Sequence, residues 1–192
     1  MPALKKFKTI PEIYLFLTEV FGKSADKPVL KYKVDGAYKS ISYEEMKQET
    51  ELFASGLAAF GFKRGQKIAI IAENRPEWVY ADFAILGLGG IDVPLYPILT
   101  SDTIQFILNN SESVGIIVSN KFHLNKVLKV RDKCRHLKFI IVMNERDLIP
   151  EPGVYSFNEI KRKGRDYLGE NRLHFSESIK LVNEEDLSTI IY

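Results

Sequence analysis

Between Lys67 and Asn120 the chain reads KIAIIAENRPEWVYADFAILGLGGIDVPLYPILTSDTIQFILNNSESVGIIVSN. Three short apolar runs, Lys67–Ala72, Ile91–Pro97 and Val114–Ser119, alternate with two segments of helical periodicity. Strands that carry no polar face must be covered on both sides, and helices between them supply the cover. This stretch therefore predicts an α/β fold: a layered, mostly parallel sheet with helices on both faces. Phe139–Met143 extends the pattern by one more β-branched run.

The segments before this run fit the same scheme. Thr9-Ile10-Pro11-Glu12 is a helix start, with Thr9 as cap and Glu12 reaching back. Ile13, Tyr14, Leu17 and Phe21 follow at helical spacing, and Gly22 closes the helix. Val29–Ser42 reads as a β-hairpin turning at Asp35-Gly36, a pair suited to positive φ angles. Ser42-Tyr43-Glu44-Glu45 opens a second helix, whose buried face runs through Met46, Thr50, Phe53, Leu57 and Phe60 before Gly61. Asn74-Arg75-Pro76-Glu77 repeats the device of Thr9, with Asn74 as cap, and opens a helix apolar around most of its circumference. Asp82 is the exception on that apolar surface, two turns from Arg75; an ion pair between them is expected rather than a catalytic role.

Two motifs invite sharper readings and do not sustain them. Gly87, Gly89 and Gly90 resemble a phosphate-binding loop in composition. Such a loop follows a strand and opens a helix, so that backbone amides face the anion. These glycines close a helix and lead into a strand, with Asp92 where a third loop glycine belongs, so capping and close packing explain them. The basic run Lys121–Lys138 holds seven Lys or Arg and one acid, Asp132. Leu124, Val127, Leu128, Arg131 and Cys134 mark one face of a helix there, leaving the basic side chains as its solvated side. His123 and His136 are too far apart along such a helix to share a metal.

Composition narrows the function classes. A formal charge of +2 gives no support for a nucleic-acid partner. Cys134 is the only cysteine, which excludes an intrachain disulfide and fits a reducing compartment. The early lysines and apolar stretch at the N-terminus are interrupted by Glu12 and Glu19, unlike a signal peptide, and no run reaches the ~18 residues of a membrane span. The expectation is a soluble, cytoplasmic protein. Further on, Ser156-Phe157-Asn158-Glu159 starts a capped helix to about Leu168; Gly169–Lys180 reads as irregular, and Leu187–Tyr192 as a buried strand.

With those residues in place, the chain resembles the AMP-forming, adenylate-forming ligases, and most resembles the N-terminal portion of long-chain fatty acid–CoA ligases. The stretch from Glu73 to Thr100, ENRPEWVYADFAILGLGGIDVPLYPILT, carries most of the likeness. Ile41-Ser42-Tyr43-Glu44-Glu45-Met46 is similar to the family's first core motif, with Ile41 and Met46 as departures. Leu86–Leu95 is similar to its second, and Glu185–Tyr192 to the strand leading into its phosphate-binding loop. The resemblance implies that residues 1–192 are the N-terminal part of an AMP-binding domain, stopping before that loop. For the parent it implies ATP, Mg2+ and coenzyme A, a fatty acid as substrate, and thioester formation through an acyl-adenylate with release of pyrophosphate and AMP. The loop, the ribose-binding aspartate, the hinge and the adenylation lysine lie outside the residues quoted. No catalytic, cofactor-binding or metal-binding residue is therefore assigned within this chain, and the fragment is expected to be inactive.

Three further expectations follow. An unfinished domain should expose an apolar patch where a further lobe packs. A homodimer is expected by resemblance alone, and peripheral membrane association of the parent is left open. The competing readings are a ligase for another carboxylic acid, a non-enzymatic α/β interaction module, and a Rossmann dehydrogenase domain lacking its glycine loop.

Overall fold

The computed structural model describes residues 6–23, 27–171 and 175–192. Helix α1 (Ile10–Phe21) precedes the hairpin β1 (Pro28–Val34) and β2 (Ala37–Ser42), then α2 (Tyr43–Ala59). The strand–helix series follows: β3 (Lys67–Ile71), α3 (Pro76–Gly87), β4 (Ile91–Leu95), α4 (Ser101–Ser111), β5 (Gly115–Val118), α5 (Lys121–Leu128), β6 (Phe139–Val142) and β7 (Val154–Ser156). Helices α6 (Phe157–Asn171) and α7 (Phe175–Lys180) complete the described elements. The hairpin turns at Asp35 and Gly36, both with positive φ, and pairs antiparallel.

The main sheet has five parallel strands in the order β4-β3-β5-β6-β7. Period-two alternation divides its side chains between two cores. Ile68, Ile70, Ile117 and Ile141 meet α2, α3 and α6 on one face. Ala69, Ile71, Ile116, Val118, Ile140 and Val142 meet α4 and α5 on the other. The expected doubly covered parallel sheet is what forms. Pro94 fits because β4 is a sheet-edge strand, whose outer side carries only the bridge at Asp92 among the described residues. Tyr96, Ile98, Phe106 and Tyr192 are among the large apolar side chains left exposed, and the Phe106 and Tyr192 rings meet edge to face.

Several local expectations are corrected. Asn74 does not cap α3: Arg75 is the cap residue, extended and without a side-chain cap bond. A residue before proline is pushed out of the helical region, so the helix starts at Pro76. The basic run is not one long helix. It forms α5 and then a 3-10 turn at Arg131–Lys133, held by Asn109 of α4, whose amide bonds to Lys133 O and to Arg135 N–H at 2.9 Å each. Its apolar face still reaches the core at Leu124, Val127 and Cys134.

The stretch after Leu168 is helical rather than irregular. Helix α6 continues to Asn171, and Phe175 and Ile179 of α7 bury themselves against Gly87; positions 172–174 of that expectation lie outside the described residues. Leu187–Tyr192 is not a buried strand. It makes a single parallel bridge, Thr189 to Asp92, and Leu187 and Ile191 are exposed. Among the described residues no further strand lies beyond it, and Ile190 packs on the core.

Candidate functional site at the carboxyl edge of the sheet

Strand β3 has β4 on one side and β5 on the other, and the chain crosses over β3 between them. In open α/β sheets such a reversal leaves a crevice at the carboxyl ends of the strands, the usual place for a ligand. Here it is bordered by Ala72–Arg75 after β3 and by Ser119 and Asn120 after β5.

The side chains there form one connected cluster. Glu73 Oε1 lies 3.0 Å from His123 Nε2 and accepts from Asn120 Nδ2 at 3.3 Å. Asn120 also caps α5, its Oδ1 accepting from the His123 N–H at 3.2 Å. Arg75 forms a two-pronged ion pair with Glu77, both bonds 2.8 Å, and donates to Ser119 O at 3.2 Å. Burial alone would raise the Glu73 carboxyl; the facing Ser119 hydroxyl, the His123 ring and the turn's own amide outweigh it and hold Glu73 at about 2. Ser119 Oγ makes no hydrogen bond of good geometry, so the His123 contact is the firmer of the two. The Glu73 carboxylate thus sits beside the amino end of α5, held by the side chains of Asn120 and His123.

Beside the cluster lies a cavity of about 380 Å³ whose lining includes Tyr32, Glu49, Arg75, Glu77, Tyr80 and Lys161. Its cations are engaged: Arg75 by Glu77, and Lys161 by Glu49 at 2.6 Å. Burial, then neighbouring glutamates, pushes the Tyr80 hydroxyl well above its ordinary range. The arrangement can order the loops after β3 and β5. It offers no uncommitted cation to a polyphosphate among the cavity residues named.

The glycines Gly87, Gly89 and Gly90 do not fit a nucleotide phosphate either. A Cβ on Gly87 would meet the Phe175 ring at 2.2 Å, and one on Gly90 the Phe62 ring at 2.4 Å. Gly89 has a φ of 70° and closes the helix. Close packing and capping account for all three. Asp82 does not pair with Arg75, which Glu77 has taken; burial instead raises the Asp82 carboxyl to about 6. Among the described residues no group of three or more His, Cys, Asp or Glu could hold a metal ion. Glu73, Ser119, Asn120 and His123 were not singled out as a set from the sequence. The available signal was their position directly after two strands apolar on both faces.

A model of the family described as "AMP-binding enzyme" matches residues 17–192. The chain belongs to the AMP-binding enzyme family. This family member is 27% identical over 154 residues to the long-chain-fatty-acid–CoA ligase ACSBG2 of Xenopus laevis, across 80% of the chain and 21% of that protein. It is 27% identical over 199 residues to the chloroplastic long-chain-fatty-acid–[acyl-carrier-protein] ligase AEE15 of Arabidopsis thaliana, across 97% of the chain and 26% of that protein. The chain therefore spans about a quarter of these curated relatives. Among solved structures it is similar to the A-PCP didomain of the carboxylic acid reductase of Segniliparus rugosus in complex with AMP. The TM-score is 0.70 at 18% identity, over 85% of this chain and 27% of that one. That likeness establishes the fold: the lobe is built as adenylate-forming ligase domains are.

Proposed function

We propose that the chain is the N-terminal lobe of an AMP-forming ligase that activates a long-chain fatty acid. The parent would join the carboxylate to the α-phosphate of ATP, with Mg2+ and release of pyrophosphate, and then pass the acyl group from AMP to the thiol of coenzyme A. The observation that carries the reading is the family match over residues 17–192, together with relatives whose names specify long-chain fatty acids.

Within that reaction the lobe's role is to form a wall. Its switch-point crevice is lined by the Glu73 anion, and its glycine-rich helix end is packed against Phe62 and Phe175. Neither feature fits ATP, so no chemical step is assigned to residues of this chain, and the 192-residue chain alone is proposed to be inactive and not to bind Mg-ATP appreciably. A cytoplasmic setting is proposed from the lone, buried Cys134; no helix among the described residues is long and apolar enough to cross a membrane.

The test is AMP release by the complete gene product, supplied with Mg-ATP and carboxylic acids of rising chain length. Coenzyme A and an acyl carrier protein are offered in turn as acceptor, since one relative is named for each. Rates that rise towards long-chain acids with coenzyme A are expected. A preference for short or aryl acids would overturn the long-chain reading, and faster turnover with the carrier protein would overturn the acceptor.

A further inference from the structure

Asp92 is 3% exposed and is the second residue of the edge strand β4, with Oδ1 lacking any hydrogen-bond partner. In register with Ile68 of β3, its side chain points to the face that α3 covers, where the Asp82 charge acts on it. Burial, and then the Asp82 charge, push the Asp92 carboxyl up to about 8. A buried acid of this kind usually has a cation beside it, and here the nearby cations are committed elsewhere. Lys67 on β3 points to the opposite face and meets Glu112 at 3.6 Å. Arg64 is held by Asp186 and by Leu181 O. Lys180 on α7 pairs with Glu177, and Glu184 and Glu185 stand exposed in the segment leading to the bridge.

The backbone of this same residue anchors the outermost segment. The Asp92 N–H donates to Ser188 O at 2.9 Å, and the Ile190 N–H donates to Asp92 O at 3.0 Å. Thr189, the bridge partner, faces the same side as Asp92, and its Oγ1 is also buried without a partner. Around that bridge Ile190 packs on the core and the Tyr192 hydroxyl donates to Asn110 Oδ1 at 2.6 Å, while Leu187 and Ile191 are exposed. Lifting the segment would let water reach Asp92, so the lifted state favours the ionised carboxylate and the docked state the protonated one.

We propose that Asp92 works as a proton-operated latch. With its carboxyl protonated, the 188–190 segment stays docked on β4; its ionisation, which the Asp82 charge opposes, releases the segment. The sign follows from linkage. A carboxyl raised in the docked state gives its full stabilisation below the ordinary carboxylate range and loses it as the pH climbs to the docked value, beyond which the loss levels off.

Hydrogen exchange read across pH on the complete chain tests this, with the intrinsic exchange rate divided out. Protection of the Ile190 amide should fall about tenfold per pH unit between pH 5 and 8 and level off above, while β5 amides keep their protection. Asp92→Asn, which keeps the shape of the neutral acid, should make the Ile190 protection independent of pH. Asp82→Asn should move the levelling point to lower pH, and it carries the test by itself if the first variant does not fold. A wild-type slope retained in the variants, a flat wild-type profile, or parallel loss of protection in β5 would each overturn the latch.

Discussion

Replacing Gly164 with alanine probes the closest crossing between two helices of this lobe. The added Cβ would stand 2.0 Å from the Leu52 carbonyl oxygen and 2.7 Å from the Gly56 nitrogen, both backbone atoms of α2. No rotamer change can move them. A relaxed contact needs about 3.5 Å, so α6 must retreat from α2 and draw Phe157 away from Phe53, whose rings stack at 4.0 Å. Overpacking of this kind costs about 1–3 kcal/mol. Alanine in place of a helical glycine returns up to about 1 kcal/mol, so the net loss should be about 1–2 kcal/mol. Gly169 on the same helix supplies the control, because a Cβ there meets nothing within 4 Å. Gly169→Ala should gain about 0.5–1 kcal/mol from propensity alone. Urea unfolding followed by circular dichroism reads both, with an unchanged denaturant slope. If Gly164→Ala matches the wild type while Gly169→Ala gains as expected, the close α2–α6 crossing is wrong.

Three other outcomes are expected. Phe157→Ala removes one of two stacked, buried rings and should cost about 3–5 kcal/mol in the same unfolding assay; a loss below ~1 kcal/mol would contradict that packing. Glu73 is held at about 2, so its contribution is present above the ordinary carboxylate range and lost as the pH falls through the held value. Glu73→Gln should therefore flatten the stability profile between pH 4.5 and 2, and an unchanged acid limb would show that the Glu73–His123 contact does not form. Calorimetric titration of the 192-residue chain with Mg-ATP should give no micromolar binding, and a saturable micromolar isotherm would refute the reading of Glu73 and the packed glycines.

Much of the fold was legible in the sequence because its strands are uniform. Lys67–Ile71, Gly115–Val118 and Phe139–Val142 are apolar on both faces, and only a doubly covered parallel sheet satisfies such runs. Thr9 and Ser42 could be read as caps because each chemistry is local, and each side chain does accept the expected amide. What could not be read depended on distant partners. Helix α7 exists because Phe175 and Ile179 find the space at Gly87, and α5 gives way to a turn because Asn109, far off in sequence, holds the backbone. The pairing of Arg75 with Glu77 rather than Asp82 was settled by which carboxylate the helix start presents. The Glu73–His123 cluster needed the strand order, which brings together residues 50 apart. Asp92 was read only as a residue out of place in a glycine loop; its burial beside Asp82 came from the pairing of β4 with β3.

The account rests on this lobe being the structural wall of an ATP-dependent ligase whose reacting groups lie outside it. Acid-dependent ATP–pyrophosphate exchange, measured side by side on the complete gene product and on the 192-residue chain, tests this most directly. Exchange that requires a long-chain fatty acid in the complete protein, and none in the 192-residue chain, is the predicted result. Exchange catalysed by the 192-residue chain, or its failure in the complete protein with every carboxylic acid offered, would contradict the account.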